Sequence, residues 1–204
     1  MNKEHLNSDT KERIFQSAAE LFSEQGYTKV SVREICQKAG VAKPALYYYF
    51  DDKDALIEEL VLQSFVILDE LKNKFLKDEA DFLENFKSLF LLYNEFANKY
   101  LIFTRFYMQM HFMAIPKKVK KDHIAKKILQ FEQLISFFRV GKKEGYFRKN
   151  TDVEMEATIF LGSVNAVFLN NYFLGEENYP LKKKLNQLKK HWIANFMNAK
   201  SEKV

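Results

Sequence analysis

Apolar side chains recur along this chain at alternating intervals of four and three residues. Phe82, Phe86, Leu89, Tyr93, Phe96 and Tyr100 form one series, Ile124, Ile128, Phe131, Ile135 and Phe138 a second, and Leu181, Leu185, Leu188 and Trp192 a third. Each lays a continuous stripe along one side of an α-helix, and no strand-like alternation competes over any useful length. Punctuation is sparse, with six glycines and three prolines in 204 residues, so the elements are long. The reading is all-α, with about nine helices. Three come first, at 9–25 closed by Gly26, 32–39 closed by Gly40, and 43–49. Four more follow at 53–76, 80–98, 100–114 (stopped by Pro116) and 121–143. The last two are 152–174, with Asp152 as N-cap and Gly175 beyond its end, and 180–198, opened by Pro180.

The segment 31–50 departs from these stripes. Ser31 followed three residues later by Glu34 is a capping box that starts a short helix. Ala39-Gly40 ends it, and Gly40 supplies the left-handed backbone of a tight turn. Pro44 falls in the first turn of the next helix, where its missing N–H costs nothing. Val41, Leu46 and Phe50 then point inward and Lys43, Pro44, Tyr47 and Tyr48 outward, with Tyr49 open to either side. This is a helix-turn-helix whose second helix has the small-residue N-terminal end that enters a major groove. Tyr47 and Tyr48 offer flat bodies to lie along a duplex wall and hydroxyls to donate to phosphates.

Composition changes this picture little. Apolar residues at 47% and 20 phenylalanines supply a core, and 29% charged residues suit a soluble chain. The polar start, MNKEHLNSDTKER, lacks the apolar region of a secretory signal, and no run approaches the ~18 uninterrupted apolar residues of a spanning helix. A single cysteine, Cys36, excludes an internal disulfide and fits a reducing cytoplasm. Charge is uneven: the net of +5 comes from −3 over residues 1–60 and +8 over 61–204. Only within 28–53 does the N-terminal part turn locally basic, by +2.

The wider stretch ERIFQSAAELFSEQGYTKVSVREICQKAGVAKPALYYYFDDKDAL, ending at Leu56, resembles the N-terminal domain of TetR-family transcriptional regulators. The resemblance is carried by AAELFSEQGY, by Ser31 before VREICQKAGV, by LYYYF and by Lys53 with Leu56 after it; downstream, only helix count and VGKKEGYFRKNTD match. It implies a DNA-binding domain at 8–68 and a helical effector-binding and dimerisation domain at 69–204. It also implies DNA contacts at Ser31, Val32 and Arg33, at Ala42, Lys43, Pro44, Ala45, Tyr47 and Tyr48, and at Lys53 as a phosphate anchor. Ala42 and Ala45 replace polar residues common in the family, which leaves Lys43 and Arg33 as base-edge donors, both able to address guanine. Asp51 and Asp52 beside the anchor would repel phosphate unless they turn away. The partner implied is palindromic double-stranded DNA bound by a homodimer, with no membrane and no cofactor.

The second half is rich in Phe, Tyr and Met, which form adaptable walls for a hydrophobic effector or an ordinary core. Tyr93, Phe103, Arg105, Tyr107, His111, Asn165 and Phe168 are the pocket candidates, the polar ones because each needs a partner if buried. The helix at 152–174 is apolar nearly all round and so covered on both sides. With the last helix, the resemblance implies a symmetric dimer interface of Phe160, Val164, Val167, Leu185, Leu188 and Trp192. The basic run PKKVKKDHIAKK is read as a solvated helix entry, with attraction of an anionic effector as the alternative. Enzymatic chemistry finds no support: none of the four histidines pairs at metal-ligand spacing i, i+4, and no phosphate-cradling glycine loop occurs. Two functions remain, a repressor released by a small, largely hydrophobic ligand and an architectural DNA-binding relative without an effector.

Overall fold

The computed structural model describes residues 3–110 and 114–201. Among them are nine helices and no strand: α1 Lys3–Gln25, α2 Val32–Ala39, α3 Lys43–Tyr49, α4 Lys53–Phe75, α5 Phe82–Lys99, α6 Leu101–Gln109, α7 Lys117–Lys143, α8 Val153–Asn178 and α9 Leu181–Ser201. The largest shifts from the periodicity lie around Pro116. The proline does not end α6, which stops at Gln109; it opens α7, with the Pro116 carbonyl accepting from Lys120 N at 3.0 Å. A proline at a helix start forfeits no intrahelical bond, so this is the cheaper place for it. Helical hydrogen bonding in α8 resumes beyond Gly175, whose φ of 77° and ψ of 161° put a kink in the element.

The chain forms two compact units that are not consecutive in sequence. The first comprises residues 1–67 and 100–125, the second 68–99 and 126–204. Residues 100–125, expected in the C-terminal domain, thus pack with the helix-turn-helix. The physical reason is the apolar side of α6 and its C-cap: Phe106 and, just past the helix, Met110 are buried in one core with Ile14, Phe15, Ala18 and Phe22 of α1 and Leu56, Ile57, Leu60 and Phe65 of α4. Phe103 lies 5.8 Å from Phe15, and Phe65 lies 6.1 Å from Tyr107 and 5.6 Å from His123. Each fully buried side chain of this kind is worth about 1.5–3 kcal/mol.

The second unit is built on an aromatic cluster. Phe82, Phe86, Phe138, Phe160 and Phe196 are fully buried, and Phe86 touches Phe160 at 5.3 Å and Phe196 at 4.8 Å between ring centroids. Edge-to-face pairs such as the latter add about 0.5–1.5 kcal/mol beyond area. Gly141 admits Phe82 against the α7 backbone, since a Cβ there would meet the Phe82 ring at 2.7 Å. Glu144 then accepts from Phe82 N at 2.9 Å and caps the start of α5. The α7 stripe is only half used: Ile135 and Phe138 are buried, whereas Ile124 and Ile128 are exposed.

α8 is long and apolar enough in composition to cross a membrane, but Ala157, Phe160, Val164, Val167 and Phe168 are buried in the unit's own core.

Candidate nucleic-acid interface

The geometry of the helix-turn-helix begins with Ser31. Its extended backbone (φ −97°, ψ 155°) lets Oγ accept from Glu34 N at 3.2 Å, while Glu34 Oε2 accepts from Ser31 N at 2.7 Å. Two orphan donors of α2 are thereby satisfied. Ser31 Oγ also donates to Glu34 Oε2 at 2.6 Å, and this bond, with the one from Ser31 N, holds the Glu34 carboxyl below its ordinary range. At the other end Gly40 is left-handed (φ 64°, ψ 39°), its N–H donates to Gln37 O at 3.3 Å, and Val41 N donates to Cys36 O at 3.0 Å. This closes the turn tightly enough for α3 to begin three residues later at Lys43.

α3 turns Leu46 into the core, with Phe50 buried just beyond its end, and presents an opposite face to solvent. Ala42, Lys43 and Pro44 are exposed, Ala45 is half-buried, and Tyr47 and Tyr48 are 50% and 72% exposed. Two large aromatic residues so exposed are not padding a core. Tyr49 is the tyrosine that goes inward, half-buried against the core, with its ring 4.9 Å from Tyr48 and 6.5 Å from Phe50. At the start of α2, Ser31 and Arg33 are exposed and Val32 half-buried. Neither Arg33 nor Lys43 takes part in an ion pair among the described residues, so both heads are available to a partner, unlike Lys38, which is bridged to Glu20 at 2.8 Å.

Two residues beside this face have partners within the chain. Asp52 is turned away: its Oδ1 accepts from Ala55 N at 2.7 Å and caps α4. Lys53 is half-buried, and its Nζ donates to Tyr27 O at 3.0 Å and Val30 O at 2.9 Å. Sequence reading missed these partners because a lysine's acceptors, when they are backbone carbonyls, leave no mark in side-chain pattern.

The expected effector residues divide between the units. Phe103 and Tyr107 are half-buried against the first unit's core, and Arg105 is exposed rather than sunk in an apolar face. His111 lies outside the described residues. In the second unit Tyr93 is half-buried, its ring 6.3 Å from Phe160 and 6.2 Å from buried Phe168; burial pushes its phenol up to about 12. Asn165 is half-buried on α8. Sequence reading also passed over Lys127, counted there within a solvated basic run: it is half-buried, and burial holds its ammonium down to about 8.

The expected dimer residues need correction. Phe160, Val164, Val167, Leu185 and Trp192 are buried within the chain itself and Leu188 is half-buried, so they offer little surface to a partner. They are used up by the aromatic cluster, with Trp192 5.7 Å from Phe160. The exposed side of α8 is a different stripe: Met155, Ile159, Gly162, Ala166 and Phe173, the last 74% exposed.

This fold, with its short solvent-facing second helix, defines a helix-turn-helix DNA-binding regulator whose second unit is helical. Residues 14–60 match the profile of bacterial regulatory proteins, tetR family. The chain is 28% identical over 160 residues to YdgC, an HTH-type transcriptional regulator of Bacillus subtilis, covering 76% of this chain and 77% of that protein. It is 26% identical over 153 residues to the HTH-type transcriptional repressor KstR2 of Rhodococcus jostii, covering 72% of each. In fold it is similar to the transcriptional regulator FadR of Bacillus subtilis, solved in complex with stearoyl-CoA: TM-score 0.72 at 15% identity, covering 91% of this chain and 98% of that one. Residues 14–60 therefore form an N-terminal domain of the tetR family of bacterial regulatory proteins, and most of the chain is similar to HTH-type transcriptional regulators.

Proposed function

We propose that this regulator is a dimeric repressor that binds a two-fold operator in duplex DNA and leaves it when a largely apolar small molecule binds the second unit. The observation that carries the DNA part is the exposed face of α3, where Lys43, Pro44, Tyr47 and Tyr48 stand outward beside Arg33. Lys43 and Arg33 read base edges, and Tyr47 and Tyr48 fix register on the phosphates. Ala45 meets a thymine methyl. The dimer part is supported by the unsatisfied apolar stripe Met155, Ile159 and Phe173 on a helix whose other side is already packed. A second copy of the same stripe covers it with matching chemistry, and Gly162 and Ala166 leave room for close approach of two helices.

Repression and release are supported by the relatives. KstR2 is named a repressor, and FadR was solved with stearoyl-CoA, an acyl chain on an anionic carrier. The aromatic second unit suits the apolar part of such a ligand. Tyr93 and Asn165 supply polar groups on α5 and α8, and Lys127 a cation on α7.

Fluorescence anisotropy with a pool of duplexes, followed by enrichment of bound sequences, tests the reading. A palindromic consensus with half-sites one helical turn apart is expected. Binding without sequence preference, or a consensus with a single half-site, would reject it.

A further inference from the structure

The α4 N-terminus grips the turn that precedes α2. Lys53 and Asp54, its first two residues, each hold a different part of that turn. Lys53 Nζ donates to the carbonyls of Tyr27 (3.0 Å) and Val30 (2.9 Å) and sits 4.1 Å above the centroid of the Tyr27 ring. The Tyr27 hydroxyl donates to Asp54 Oδ1. Tyr27 is itself buried, its ring 5.4 Å from Phe22, so the turn is pinned from both sides. Burial, helped by the carboxylate acceptor, holds the Tyr27 phenol well above its ordinary range, so the hydroxyl stays a donor at any physiological pH.

A cation at a helix N-terminus faces the positive end of the helix dipole, an unfavourable place unless its own hydrogen bonds repay it. Two carbonyls and an aromatic face do so here. We infer that Lys53 and Asp54 form a latch that fixes the 27–30 turn, and through it Ser31–Arg33, to the start of α4, and that Lys53 serves as a positioning residue rather than a phosphate anchor. Its consequence for DNA binding rests on the reading above; its existence does not. Any displacement of the start of α4 then carries the start of α2 with it. The capping box begins one residue past Val30, so the latch and the cap share one stretch of backbone.

Amide hydrogen exchange on the DNA-free, full-length chain reads the latch directly. The N–H groups of Ser31, Glu34 and Ile35 are hydrogen-bonded just beyond the turn, at 2.7, 3.2 and 3.2 Å. Lys53→Met keeps the apolar stem and removes the donors; exchange at these amides should rise about tenfold while that of the α1 core amides stays fixed. Unchanged exchange at 31–35 would overturn the latch. Tyr27→Phe keeps the ring and cuts only the Asp54 leg, so it decides the matter should Lys53→Met not fold: the same amides should speed up by a smaller factor, and no change would count against the assignment. Salt titration of duplex binding is the second readout. Lys53→Met should weaken binding with the slope of log K against log salt unaltered, whereas a fall of about 0.9 marks a lost phosphate contact and rejects the positioning role. A wild-type chain that bound no duplex would sink the DNA-binding reading, while exchange would still decide the latch.

Discussion

In the proposed interface, Lys43 is the residue on which sequence readout turns. It is exposed at the first position of α3, with alanines at 42 and 45 contributing no donor of their own. Lys43→Ala should relax preference at one base pair per half-site by about 1–3 kcal/mol, read by competition between single-substituted duplexes. Tyr47→Phe should instead weaken every duplex alike, because a hydroxyl on phosphate carries no sequence information. A changed consensus in Tyr47→Phe would reverse the two roles. The outward placement of these side chains was legible in the sequence because a seven-residue helix has few ways to bury Leu46 and Phe50, and the other positions must then face out. Lys127 was not legible, since a lysine in a basic run looks solvated until the fold sinks its stem. Its ammonium titrates near 8 in the folded chain against 10.5 ordinarily, so between those values the unfolded chain holds more proton and stability rises with pH. Lys127→Met should therefore stabilise the protein at pH 7, on the order of 1–2 kcal/mol. That advantage over wild type should shrink from pH 8 upward and be gone near pH 10.5, as followed by thermal melts across that range.

At the scale of elements, periodicity located the helices but could not say which of two apolar faces meets the chain's own core. α8 shows why. It is apolar all round, so the stripe through Phe160, Val164 and Val167 and the stripe through Met155, Ile159 and Ala166 look equally good in sequence. The aromatic cluster decides it: Phe160 is taken up by Phe86, Phe138 and Trp192, and the other stripe is left outside. The same ambiguity affected α6, whose Phe103 and Tyr107 suggested a ligand wall but pack beside Phe15 and Phe65. Neighbouring residues on α8 then separate fold from assembly. Phe160→Ala opens a cavity in the cluster and should cost about 3–5 kcal/mol in chemical denaturation. Ile159→Asp lies on the exposed stripe and should leave the monomer folded while splitting the proposed dimer, because a two-fold contact brings both new carboxylates together. Light scattering at micromolar concentration checks it. A dimer that survives Ile159→Asp places the interface on another face.

For the whole molecule, the decisive property is that α4 and α7 each run through both compact units, Lys53–Phe75 and Lys117–Lys143 contributing residues to each. On the proposed reading, a helix shared in this way is a covalent route from the effector-binding unit to the recognition unit. With Lys53 and Asp54 holding the turn before α2, the route ends on Ser31–Arg33. On that reading, release of DNA requires only that the ligand prefer the arrangement in which the two recognition helices no longer match adjacent major grooves. A ~100-fold preference shifts that equilibrium by about 2.7 kcal/mol. Linkage makes the effect reciprocal, which yields a test that does not depend on knowing the natural ligand. Stearoyl-CoA is a suitable first probe because the FadR structure contains it. If it binds the second unit and acts as an inducer, saturating operator should weaken its binding by the same factor by which it weakens the operator, measured by titration in both directions. Equal ligand affinity with and without DNA would show that binding and release are uncoupled. Failure of stearoyl-CoA and of shorter apolar acids and acyl-thioesters to raise the melting temperature would favour an architectural DNA-binding role, in which the exposed α3 face and the α8 stripe still act but nothing in the second unit answers to a small molecule.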